Sequence, residues 1–312
     1  MPDNGNCSFR ILLFPLLAIL LGGCATTTQK LPSSASWQRE GSVAADELHP
    51  SRKLAKLPAE KLVELGNAYL GHEKLGLAKV HFALALEKDS SLPAAYYGLG
   101  EVLRRQGNKQ GALEAFAEAL KKESEYVPAV LGTARVLREQ GKCNRAVEFL
   151  SRARVAKPDD PEVLTELGIT YGYLGHEDLA EPLFKRVAKL LPNRSASHNN
   201  LGFNYIVQRK YAKAIEEFSW ALALAPKNTQ VLDNLATAYF LNGDENKARD
   251  IFEKSLGKAA AYNNVGYLYS TQGKWEKSKR ALTRALDASP TFYLRAKENL
   301  TRSTRLQASG KP

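Results

Sequence analysis

Along most of this chain hydrophobic and polar residues alternate with the period of an amphipathic helix, and the alternation itself recurs. From Ala59 onward apolar and small residues fall at spacings of three and four, which places them on one buried helical face. Aligning on a leucine-glycine pair gives Leu65-Gly66, Leu99-Gly100, Thr133-Ala134, Leu167-Gly168, Leu201-Gly202, Leu235-Ala236 and Val265-Gly266. The first five steps are 34 residues and the last is 30. Twelve positions after each small residue comes Ala78, Ala112, Ala146, Ala180, Ala214, Ala248 or Ser278. Four further on comes Phe82, Phe116, Leu150, Phe184, Phe218, Phe252 or Leu282. An aromatic follows the small residue by three in five repeats, at Tyr69, Tyr171, Tyr205, Tyr239 and Tyr269.

Each repeat therefore predicts two helices. Small residues let the pair approach closely, and the large apolar residue fills the space between them. Gly107, Gly141, Gly175, Gly243 and Gly273 stand where the chain must turn with positive φ. Pro158, Pro192, Pro226 and Pro290 end the second helix in four repeats. Glu73 and Arg209 replace the turn glycine, and repeat six is shortened at Gly257-Lys258, which predicts a sharper or tilted step to repeat seven. This pattern resembles the tetratricopeptide repeat over seven consecutive copies. The resemblance implies an all-α fold: a right-handed superhelical solenoid of seven helix pairs over residues 59–292. Tyr293, Ala296 and Leu300 at helical spacing add a C-terminal capping helix and tail over residues 293–312.

Ahead of the repeats the pattern changes. Ile11 to Leu21 is an unbroken apolar run, about 16 Å of helix against a hydrocarbon core of about 30 Å, too short to span. Arg10 precedes it and Gly22-Gly23 follow it, the three-part layout of a secretory signal. Leu21-Gly22-Gly23-Cys24 resembles the bacterial lipobox, which implies that residues 1–23 are a cleaved lipoprotein signal peptide and that Cys24 is lipidated. Ala25, in place of an aspartate, implies the periplasmic face of the outer membrane of a Gram-negative bacterium. Residues 24–58, rich in Ser, Thr and Pro, then read as a flexible tether. The three cysteines, Cys7, Cys24 and Cys143, have no paired spacing that reads as a disulfide framework or zinc site.

Candidate chemistry changes this picture little. His49, His72, His81, His176 and His198 lie scattered, with no HExxH, GxSxG or phosphate-loop motif. The expectation is a protein that is not an enzyme and needs no metal or cofactor. Function is then expected on the concave groove that the resembling family builds from positions 2, 5, 6, 9, 12 and 13 of each repeat. There, in repeats five to seven, stand Asn199-Asn200, Asp233-Asn234 and Asn263-Asn264, with Phe203 and Tyr267 at position 9. An asparagine offers both a donor and an acceptor, so this ladder can grip a peptide main chain; the alternative is that it packs between first helices. Repeats one to four carry Glu64, Gly98, Gly132 and Glu166 in its place. Arg104, Arg135 and Arg138, with Arg105 and Tyr97 nearby and Glu101 and Glu139 as partial counter-charges, form a candidate basic patch for an acidic segment or a terminal carboxylate, or else a solvated helix face.

Net charge is +11, which outside the cytoplasm points to anionic lipid, acidic polysaccharide or acidic protein rather than nucleic acid. The chain plan resembles tight-adherence (Flp) pilus assembly lipoproteins and type IV pilus pilotins. The implied role is a lipid-anchored scaffold for envelope proteins, aiding pilus or secretin assembly. An adaptor for a periplasmic protease or peptidoglycan hydrolase, or an exopolysaccharide-export scaffold, are the alternatives.

Overall fold

In a computed structural model of the chain, the described residues are 56–289 and 293–309. They form fifteen helices and no strand. In chain order these are α1 (Ala59–Gly71), α2 (Leu75–Lys88), α3 (Pro93–Arg105), α4 (Lys109–Lys122), α5 (Val127–Glu139), α6 (Cys143–Ala156), α7 (Pro161–Leu174) and α8 (Glu177–Leu190). There follow α9 (Ser195–Val207), α10 (Tyr211–Leu224), α11 (Thr229–Asn242), α12 (Glu245–Leu256), α13 (Lys258–Thr271), α14 (Trp275–Ala288) and α15 (Tyr293–Ala308). They run as consecutive pairs, and the expected all-α fold of helix pairs is the one observed. The chain divides into two compact units at Thr170/Tyr171, inside α7.

The periodic residues make the core. In the first unit Leu62, Val63, Ala78, Phe82, Ala85, Ala95 and Val102 are buried together; in the second, Ala236, Phe240, Ala248, Phe252, Ala261, Val265 and Leu268 are. The small residue at position 8 is needed because the ring of position 24 lies on it. A Cβ at Gly66 would stand 2.6 Å from Phe82 Cε1, well inside van der Waals contact. Turns follow the pattern too. Gly107, Gly141, Gly175, Gly243 and Gly273 have φ between 69° and 102°, and the two substitutes, Glu73 and Arg209, hold φ of 57° and 58°. Each second helix stops just short of Pro158, Pro192 or Pro226; Pro290 lies outside the described residues. Between α12 and α13 the connector is Gly257 alone, at φ 84°, ψ 166°, a region open essentially only to glycine.

Cys143 is buried. Cys7 and Cys24, with the signal peptide and tether expected over residues 1–58, lie almost wholly outside the described residues. The C-terminal helix α15 covers the last repeat and does more. It packs on α14 and also on α13, as a further first helix would.

Candidate partner-binding surface

In the first unit the position-6 residues serve packing and charge balance. Gly98 receives the ring of Phe82 from the preceding repeat, with no room for a Cβ. Gly132 receives Phe116 in the same way, a Cβ there falling 2.6 Å from Phe116 Cζ. Tyr97 is half-buried, its ring stacked on Phe116 at 5.7 Å between centroids and edge-on to Tyr126 at 6.2 Å. Burial holds its phenol above the usual value.

Arg104, Arg105, Arg135 and Arg138 do not form an open basic patch. Arg104 donates through Nε and Nη2 to both oxygens of the buried Glu101 at 3.2 and 3.0 Å, and through Nη1 to Glu139 at 2.9 Å. Its hydrogen bond to Glu101, more than any other influence, holds the guanidinium charge firmly in place. Arg135 donates to Glu166 at 3.2 Å, and Arg138 pairs with the other Glu166 oxygen and reaches Thr170 Oγ1 at 3.5 Å. Glu166 is 4% exposed, and a carboxylate so placed persists only where cations meet it. Arg105 donates to the Leu70 carbonyl at 3.0 Å and pairs with Glu73. The expected patch is therefore a balanced network tying α3 to α5 and α5 to α7. Besides Glu101, three residues before Arg104, the counter-charges stand 28 to 35 residues away in the chain.

The second unit places its first helices α9, α11, α13 and α15 side by side, neighbour on neighbour. Asn234 Nδ2 donates to Asn199 Oδ1 at 2.8 Å, from position 6 of one repeat to position 5 of the one before. Asn299 Nδ2 on α15 does the same to Asn263 Oδ1 at 2.9 Å. Asn263 Nδ2 reaches Asn264 Oδ1 at 3.4 Å. The ladder thus joins helices, as its packing alternative required, and Asn234 and Asn263 are each 2% exposed. Asn264 and Tyr267 are buried with them, whereas Asn199, Asn200 and Phe203 remain partly open to solvent. Phe203 also leans on the Ala236–Phe240 core.

Polar groups in this unit are less fully satisfied. Asn234 Oδ1, Tyr267 Oη and Ser197 Oγ are buried with no hydrogen-bond partner among the described residues. Burial pushes the Asp233 carboxyl up to about 6, against one hydrogen bond donated by Ser255 Oγ at 3.3 Å. The Tyr267 phenol is pushed up to about 12 by the same cause. Asn299 and the arginines of α15 are surface residues that the sequence reading missed. The signal was present: Glu298-Asn299-Leu300 repeats Asn199-Asn200-Leu201 and Asp233-Asn234-Leu235.

Family models described as tetratricopeptide repeat match residues 63–128, 103–165, 204–264 and 259–292. The chain is a tetratricopeptide-repeat protein. Its fold is shared with a tetratricopeptide repeat protein from Parabacteroides merdae, at TM-score 0.57 and 20% identity over 79% of this chain and 98% of that one. It is shared also with pilF of Pseudomonas aeruginosa, at TM-score 0.54 and 20% identity over 64% and 91%. Among curated proteins, the Photosystem I assembly protein Ycf3 of Prochlorococcus marinus is 32% identical over 109 residues, 32% of this chain and 60% of that protein. The match to mouse Protein O-mannosyl-transferase TMTC1 is 25% identical over 162 residues, 48% of this chain. The chain spans 17% of TMTC1's length, so the aligned part is a small fraction of that transferase. Repeats of this fold form protein-binding scaffolds, and that is the functional class of this chain.

Proposed function

We propose that the chain is a lipid-anchored periplasmic scaffold that holds a partner protein on the first-helix face of its second unit and assists pilus or secretin assembly at the outer membrane. The observation that carries the reading is the contrast in how polar groups are used. In the first unit Arg104, Arg105, Arg135 and Arg138 are closed on carboxylates, whereas the second leaves Asn199, Asn200 and Phe203 partly open on a continuous first-helix face, beside the buried amides of Asn234 and Asn263. Amides with both donor and acceptor capacity suit recognition of an extended main chain.

The lipid anchor rests on Leu21-Gly22-Gly23-Cys24 and the polar stretch after it. Two or more acyl chains, at about 0.8 kcal/mol per buried CH₂, give lasting membrane attachment where a single chain gives reversible binding. The assembly role rests on the resemblance in chain plan to pilus lipoproteins, and the match to a relative named for assembly agrees with it. A non-enzymatic role fits the same reading. Replacing Cys24 by Ser tests the anchor: metabolic labelling with radioactive palmitate should cease and the protein should leave the membrane fraction. Undiminished labelling removes the anchor from the account.

A further inference from the structure

Positive charge is unevenly distributed in this chain. Eleven of the 44 Lys and Arg residues follow Gly257, against three of the 33 Asp and Glu residues, so +8 of the formal +11 falls in residues 258–312. On α14 these cations are largely engaged. Lys274 and Lys277 face Glu245 at 3.9 and 3.5 Å, Lys279 faces Glu276 at 3.6 Å, and Arg284 lies over the Tyr262 ring at 5.9 Å.

Three arginines of α15 differ. Arg295, Glu298, Arg302 and Arg305 follow one another at spacings of three, four and three, one stripe on a helix, and all four are exposed. Among the described residues no carboxylate forms an ion pair with Arg295, Arg302 or Arg305. The stripe is held in register. Asn299 is tied to Asn263, Ser303 Oγ meets Ser278 Oγ at 3.1 Å in the buried seam, and Arg302 is near enough to Tyr267 to act on its phenol.

We propose that the arginine stripe of α15 binds an acidic segment of a partner protein, the guanidinium groups of Arg295, Arg302 and Arg305 pairing with its carboxylates. Guanidinium forks match carboxylates in shape as well as charge. Arg295 and Arg302 stand about 10 Å apart along the helix, the reach of about three extended residues. The charges form a line, which suits a chain, and Leu294 is the one large apolar side chain exposed on the described part of α15, too little for entry into a bilayer. The inference rests on the scaffold reading above and adds to it the chemistry of the partner.

The test uses the full chain in neutral detergent and a fluorescein-labelled hexaglutamate peptide, followed by anisotropy. Hexaglutamate should bind, hexaglutamine should not, and added salt should weaken binding. Arg295→Gln with Arg302→Gln should weaken it about tenfold. Lys227→Gln with Lys254→Gln, which removes equal charge elsewhere in the same unit, should leave it within about twofold, with circular dichroism unchanged in both variants. Equal weakening by the two pairs, or no binding of hexaglutamate, overturns the proposal. So does binding of phosphatidylglycerol vesicles or polygalacturonate through the same arginines when hexaglutamate fails, which would assign the stripe to lipid or to acidic polysaccharide. If hexaglutamate fails while a partner is still crosslinked in cells from Phe203, the acidic-segment inference falls and the scaffold reading stands. Absence of any crosslinked partner removes the scaffold reading, whatever hexaglutamate does.

Discussion

The two units carry the same repeat and use its sixth position in opposite ways. In the first, Gly98 and Gly132 make room for the rings of Phe82 and Phe116, and Glu166 pairs with both Arg135 and Arg138. In the second, Asn234 and Asn299 bond back to Asn199 and Asn263, with Asn199, Asn200 and Phe203 partly open and the arginines of α15 exposed. The difference teaches that one helix-pair scaffold can be closed by rings and ion pairs or by amides.

Exchanging the two solutions breaks the comparison most severely. Gly98→Asn puts a side chain where the Phe82 ring lies, and overpacking of this kind costs about 3 kcal/mol. Urea denaturation should show that loss, while the same residue type at position 234 is native. A variant as stable as the parent would mean that the ring is free to move aside and that the glycine has another cause.

A smaller effect sharpens the account of the second unit. Asp233 occupies the position held by Asn199 and Asn263 in the flanking repeats, and burial raises its carboxyl from 3.8 to about 6. Because the folded-state value is raised, the folded chain binds the proton more tightly than the unfolded one. The stability this confers is complete below about pH 4 and is lost as pH rises through 6. Asp233→Asn should remove that dependence and stabilise the chain at pH 7 by about 2 kcal/mol, read from denaturation at pH 4 to 7. A pH profile unchanged by the substitution would show that the carboxyl is hydrated.

The repeat architecture was legible in the sequence because it rests on local rules: helical spacing, turn glycines, and prolines beyond helix ends. Even the exceptions were readable, since Glu73 and Arg209 take the positive φ of the glycines they replace. The surface was less legible because its partners are one repeat away. Gly98 and Gly132 look like a ladder with missing rungs until Phe82 and Phe116 are seen against them. Arg104, Arg135 and Arg138 look like a basic patch until Glu139 and Glu166, each one repeat away, join the neighbouring Glu101 in closing on them. Burial of Asn234, Asn263, Asn264 and Tyr267 depends on how closely first helices pack, which one repeat's pattern does not specify. Asn299 was within reach, because Glu298-Asn299-Leu300 continues the ladder motif into what had read as a mere cap.

The central claim is that partner recognition belongs to the second unit. It is tested most directly by in-cell photocrosslinking from single sites, with a photoreactive residue at Asn199 or Phe203 compared with one at Tyr97. All three side chains are partly solvent-exposed, so reactivity alone does not separate them. The account predicts one discrete crosslinked partner from Asn199 and from Phe203 and none from Tyr97. The same partner caught equally from Tyr97, or caught there alone, would contradict it.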